Sequence, residues 1–183
     1  INNSNGVTFN DDFGVHNNGV GSLQIRSGST MTFKALAAGD ATTFDVVGNV
    51  DRAGSGNAGG TLVINGGDAV SGTAGDAVTL ATITGRSWLT TLTVKGGDAT
   101  ENDAGGAVTQ TDFNGRFIGT NYNITGGDGS TDTGATGGAG GSVATFLQTG
   151  RTTATVNITG GAGGQGNDTA TQTGGAGGAI GST

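Results

Sequence analysis

The chain of 183 residues contains no cysteine and no proline, a single Glu, and few aromatic side chains. Without cysteine there is neither a disulfide framework nor a thiolate metal site, a composition that fits any redox compartment. The missing proline, set beside 41 glycines, excludes collagen, which needs a strict Gly-X-Y period and abundant Pro. Charged residues make up 11% and hydrophobic residues 32%, so the chain resembles neither a polyelectrolyte coil nor an oily globule. No window of a dozen residues carries an apolar stripe of period 3.6, and essentially no helix is expected. The formal charge of −7 and a pI near 4.2 exclude a nucleic-acid surface, which would need clustered Lys and Arg. Signal-peptide and transmembrane runs are also lacking, so no membrane insertion is expected. A start at Ile1 suggests processing, or a fragment of something longer.

What is abundant is threonine, valine and glycine in a recurring phrase. TLVINGGDAV (Thr61 to Val70), LTVKGGDAT (Leu92 to Thr100), YNITGGDGS (Tyr122 to Ser130) and VNITGGAGG (Val156 to Gly164) each run a short strand into a glycine pair. The leading glycines Gly66, Gly96, Gly126 and Gly160 are 30, 30 and 34 residues apart, the signature of stacked repeats. Each unit returns through a second small-residue stretch: AGDAV (Ala74 to Val78), AGGAV (Ala104 to Val108), GGAGGSV (Gly137 to Val143) and GGAGGAI (Gly174 to Ile180). The later units lengthen only the linker between the two stretches, which places those linkers at exposed tips. The expected organisation is a β-rich leading segment, residues 1–53, serving for attachment or as first coils, and a glycine-rich repeat domain of four units, residues 54–183. In the leading segment Leu23, Ile25, Met31, Phe33, Phe44 and Val46 alternate with polar neighbours, so one face is expected to be buried.

A GGx triplet is the natural repeat of the left-handed threefold extended helix, whose lateral hydrogen bonds become available once two of three faces lose their Cβ. The predicted fold is therefore all-β: a β-solenoid or sandwich with polyglycine II-type segments. The paired GGxGG stretches, the growing polar linkers and the β-rich leading segment together resemble the glycine-rich adhesins at the tips of T-even-like phage long tail fibres. The strand stretches VTLATITG (Val78 to Gly85) and TATVNITGG (Thr153 to Gly161) also look like the coils of large bacterial surface β-solenoids. The first resemblance implies a sandwich of polyglycine II helices with hypervariable edge loops that bind receptors on the host's outer membrane. Either one implies a protein of the virion or cell surface.

The receptor-binding candidates are accordingly the tips: Ser71, Gly72 and Thr73; Thr100, Glu101, Asn102 and Asp103; Ser130, Thr131, Asp132 and Thr133; Gln165, Asn167, Asp168 and Thr169. A second rim is suggested by Arg86, Arg116 and Arg151, each following a glycine, with Trp88 and Phe117 close behind. Arg and aromatic groups there could stack on sugars or dock a protein. The competing structural reading has Arg covering a strand edge and Trp88 or Phe117 plugging the core.

Asp68, Asp98 and Asp128 recur in register, so a column of carboxylates is conceivable; stacked and unneutralised they would repel, and the alternative is that they face solvent. Calcium between coils is not expected, because GGDGSTDTG (Gly126 to Gly134) has Thr131 where the ligand Asp of a calcium-binding nonapeptide belongs. No helix follows any glycine pair, so nucleotide-binding loops are excluded. Asp11-Asp12 reads as a turn, Glu101 lies in a linker and His16 is alone, leaving no acid–base pair. The expectation is a non-enzymatic adhesin without metal or cofactor. Its expected partners are a host receptor, protein or glycan, the fibre or capsid protein of the same particle, and copies of itself. The alternative is a structural surface protein, either a capsid decoration or a filament subunit.

Overall fold

The computed structural model describes residues 7–10, 13–16, 22–26, 30–34, 42–47, 49–53, 60–69, 73–83, 87–100, 103–112, 116–130, 136–145, 150–166 and 173–181. Among these the chain is strand-rich, without helix, and every strand pairing is parallel. The fold class is all-β.

Three sheets run through the described residues. The first contains β1 (Val7–Asn10), β4 (Thr30–Lys34), β7 (Thr61–Asn65), β10 (Thr91–Lys95), β13 (Asn121–Thr125) and β15 (Thr155–Thr159), in that order. In the second lie β2 (Phe13–His16), β5 (Thr42–Val47), β8 (Val78–Ile83), β11 (Val108–Asp112) and β14 (Val143–Thr145). The third holds β3 (Ser22–Arg26), β6 (Asn49–Ala53), β9 (Ser87–Trp88) and β12 (Phe117–Ile118). The chain visits the three sheets in turn and then begins again. One such circuit is called a tier below. The strands of residues 1–53 sit in the same three sheets as the later ones, through the pairs β4 with β7, β5 with β8 and β6 with β9.

The phrase Thr-Leu-Val-Ile-Asn makes a strand because its branched residues favour extended backbone and its alternation gives the sheet one apolar face. In β7, β10 and β13 the second and fourth residues are buried and their neighbours half-buried. Register then stacks like on like: Leu62 pairs with Leu92, Leu92 with Tyr122 and Tyr122 with Val156, while Ile64, Val94, Ile124 and Ile158 follow in a second row. Phe33 pairs with Ile64 and is fully buried, as its alternation predicts; the side chains of Leu23, Ile25, Met31, Phe44 and Val46 lie outside the described residues. Val78, Val108 and Val143 from the second sheet, Phe117 from the third and Leu89 just after β9 close the core. Full burial of such a side chain contributes roughly 1.5–3 kcal/mol, so these rows fix the register. The last strand, β15, keeps the alternation but is exposed and half-buried in turn, with Val156 and Ile158 only partly covered.

Length varies mostly at one corner. Between the first-sheet and second-sheet strands of successive tiers lie residues 11–12, 35–41, 66–77, 96–107, 126–142 and, up to the bridge at Ile180, 160–179; the intervals are two, seven, twelve, twelve, seventeen and twenty residues. That corner carries the glycine pairs.

Candidate functional site

At the long corner each of the last four tiers sends out one glycine-rich arm after its first-sheet strand and brings a second arm back. Exposure along the arms has period three. Ala162 and Gln165 on an outgoing arm, and Thr136 with Ala139 or Thr173 with Ala176 and Ala179 on returning arms, face outward. Gly66, Gly67, Gly105, Gly106, Gly126, Gly127, Gly137 and Gly138 are buried between arms.

Gly66, Gly97, Gly106, Gly127 and Gly141 have no left-handed φ, so it is not conformational licence that selects them. Space selects them. A Cβ on Gly97, Gly106, Gly127 or Gly141 would lie under 3.0 Å from a backbone carbonyl of a neighbouring arm, closer than real Cβ atoms come. This closeness lets the arms bond in two directions. Along the stack Gly66 N–H donates to the Lys95 carbonyl at 2.9 Å, and Gly96 and Gly126 donate to Thr125 and Thr159 at 3.0 Å. Across it the bonds zigzag between outgoing and returning arms. Asp76 donates to Gly67 (3.0 Å), Gly97 to Asp76 (2.9 Å), Gly106 to Gly97 (2.8 Å), Gly127 to Gly106 (2.9 Å), Gly141 to Gly127 (2.7 Å), Gly161 to Gly141 (2.9 Å) and Gly178 to Gly161 (2.8 Å). The corner is thus held by paired backbone groups where the strand body is held by side chains.

Beside the arms the in-register aspartates form a column, and the repulsion expected of it is answered by donors. The Asp98 N–H donates to Asp68 Oδ1 (3.2 Å), Asp128 N–H to Asp98 Oδ1 (2.8 Å) and Ala162 N–H to Asp128 Oδ1 (2.8 Å). Each carboxylate therefore accepts the backbone of the next tier. Lys95 adds a cation, its Nζ 2.7 Å from Asp98 Oδ2. Partial burial alone would lower the pKa of this ammonium; the hydrogen bond it donates to Asp98 and the fields of Asp98, Asp128 and Asp68 outweigh it and raise the pKa. On the neighbouring strands Asn157 Nδ2 donates to Asn123 Oδ1 at 2.9 Å. Among the described residues no group of three His, Cys, Asp or Glu side chains converges as a metal site would require.

The arms bring the described tip candidates to one edge. Thr73 and Gln165 are exposed, and Thr100 and Asp103 half-buried. Ser130 is only 8% exposed, and its carbonyl accepts the Gly138 N–H at 3.1 Å. Ser71, Gly72, Glu101, Asn102, Thr131, Asp132, Thr133, Asn167, Asp168 and Thr169 lie outside the described residues, as does Arg86 of the second rim.

At that rim Arg116 and Arg151 are exposed and Trp88 is half-buried. Phe117 is fully buried, stacked on Tyr122 with ring centroids 5.4 Å apart and planes at 26°. For Phe117 the structural reading therefore holds, and it offers no surface to a partner. Tyr122 is also fully buried, and burial raises its hydroxyl pKa far above the usual 10.0.

No family model, curated protein or solved structure matches this chain. Function must be argued from the edge itself. Sequence reasoning missed Lys95 and the hydrogen-bonding role of the aspartates. A usable signal was there: Lys95 stands three residues before Asp98, and the carboxylates repeat at the same 30-residue spacing as the glycines.

Proposed function

We propose that this chain is a surface adhesin: a glycine-rich solenoid with polyglycine II-type arms that holds a row of variable tips along one edge for recognition of a host-cell receptor, protein or glycan. It acts at the virion or cell surface, joined to the fibre or capsid protein of the same particle, and needs neither catalysis nor cofactor. The observation that carries the reading is the confinement of the large length changes to one corner, from two to twenty residues, beside arms whose bonding stays in register. A scaffold that is indifferent to tip length is suited to acquiring new contacts without refolding.

The test is to replace residues 131–135 and 167–172 with short Gly-Ser linkers and measure labelling of candidate host cells by the fluorescent protein. Loss of labelling at an unchanged melting temperature is the expected result. Equal labelling by the replaced and original proteins refutes the reading. The second reading, a structural surface protein, is favoured by the incomplete cover of β15, an edge on which further strands could add. Open-ended filaments seen by electron microscopy across a concentration series would select it.

A further inference from the structure

Two columns of like charge run through this molecule, and their surroundings answer them differently. Each aspartate beside the arms accepts a backbone N–H of the next tier, and Lys95 adds a cation. The arginines at the third sheet have no such answer. Arg116 directly precedes Phe117 and Arg151 directly precedes Thr152, and Phe117 bridges Thr152 in parallel. The Phe117 N–H donates to the Arg151 carbonyl at 3.0 Å, and the Ser87 N–H to the Arg116 carbonyl at 2.9 Å. Arg116 and Arg151 therefore stand in register on adjacent tiers, about 4.8 Å apart along the stack. Like charges set opposite each other destabilise a sheet. Arg86, which lies outside the described residues, precedes Ser87 in the sequence in the same way.

Charge is also divided between corners. Every acidic residue whose side chain is described, namely Asp68, Asp76, Asp98, Asp103 and Asp128, lies between a first-sheet and a second-sheet strand. Arg116 and Arg151 stand instead at the entry to the third sheet, after β11 and β14, and among the described residues neither guanidinium pairs with a carboxylate. Arg116 has a tier on either side, so its exposure belongs to the outer face of the stack. Phe117 turns inward and is fully buried, and by strand alternation Arg116 and Ile118 face outward, as does Trp88, the partner of Ile118. Trp88 and Ile118 are half-buried. The outer face of the third sheet thus sets a column of guanidiniums beside an apolar row.

We infer that this face is a second binding site, and that its ligand is a carboxylated glycan, a sugar chain carrying uronic or sialic acid. Guanidinium forks bind carboxylates in bidentate fashion, and two of them one tier apart can grip a single carboxylate between them. Such a ligand removes the repulsion that the column carries in the free protein. Trp88 and Ile118 offer the apolar strip on which the C–H face of the sugar ring rests while its carboxylate is held. A nucleic acid fits less well: it would bring a dense row of phosphates against a chain of net charge −7. The site lies at a different corner from the variable tips and does not depend on their role.

Isothermal titration calorimetry of the whole chain with oligogalacturonate, oligoglucuronate and sialyllactose tests it, with the methyl ester of oligogalacturonate and an oligoglutamate peptide as controls. The expected result is saturable binding of at least one of the three sugars, weakened by salt and absent for the ester. Arg116→Gln/Arg151→Gln should weaken that binding at least tenfold, or about 1.4 kcal/mol, with a melting temperature no lower than that of the original chain, because the repulsion goes too. Arg151→Lys keeps the charge without the fork and should fall between the two. Failure of all three sugars to bind, an ester bound as well as its acid, oligoglutamate bound as tightly as the best sugar, or a double variant that binds like the original would each overturn the inference. Replacing residues 131–135 and 167–172 should leave this affinity unchanged, so a failed cell-labelling test leaves this result standing.

Discussion

The strand body and the glycine arms of this molecule solve the same packing problem with opposite materials. In the body, Leu62, Leu92 and Tyr122 fill the space between sheets, and parallel ladders hold their strands in register. Within the arms side chains are absent from the contact, and the carbonyl of one segment occupies the space where its neighbour's Cβ would be. The body can therefore tolerate exchanges of similar volume, because side chains adjust rotamers. The arms cannot, because peptide planes have no such freedom.

The sharpest way to break the contrast is to put a side chain between arms. Gly127→Val is expected to abolish ordered arms: overpacking costs about 1–3 kcal/mol where neighbours can move aside, and here the obstacles are backbone atoms of Gly97 and Gly106, so the loss exceeds that range. Hydrogen exchange at Gly97, Gly106 and Gly141 would report it, and native-like protection there would contradict the account. Next comes truncation in the body. Tyr122→Ala removes the ring stacked on Phe117 and should cost about 3–5 kcal/mol in urea unfolding, with arm amides affected only through the global transition.

Smaller effects sharpen the comparison at the boundary between the two materials. Asp98→Asn keeps an acceptor for the Asp128 N–H while removing the charge beside Lys95, and a loss of no more than about 1 kcal/mol is expected for so exposed a pair. Asp98→Ala should cost more, because the backbone acceptor goes too; equal losses would mean that the charge and not the ladder matters. Last is alkaline pH. Tyr122 and Lys95 both have pKa values raised above their ordinary 10.0 and 10.5, so the stability each contributes is fully present below its unfolded value and disappears as pH rises through the folded one. Stability should hold up to about pH 10 and decline above it, and Tyr122→Phe should flatten that decline.

Those contrasts were unevenly visible in the amino-acid string. The glycine pairs, the 30-residue spacing and the alternation of Thr-Leu-Val-Ile-Asn could be read directly, because each reflects contact between a residue and its own counterpart one tier away. The later strands of the third sheet were hidden. Ser87–Trp88 and Phe117–Ile118 are two residues long, too short to show a period, so Phe117 could be read as a rim residue until its ring was seen against Tyr122. The aspartate column was legible as a register but not as a structure: its stability rests on N–H groups, which every residue here possesses and which no sequence pattern marks. The arm glycines were legible as positions that lack a Cβ, and the carbonyls of neighbouring arms do occupy that space.

The zigzag of peptide bonds between the arms also bears on temperature. Exposing apolar surface raises heat capacity and exposing polar surface lowers it, so opening a peptide lattice lacks the large positive increment that accompanies the opening of an oily core. Apolar attraction weakens on cooling, whereas the arms depend on it least of any part of the molecule. Near freezing, the order of fragility should invert: the Leu, Ile and Tyr rows would loosen first, and the corner built of the smallest residue would hold longest.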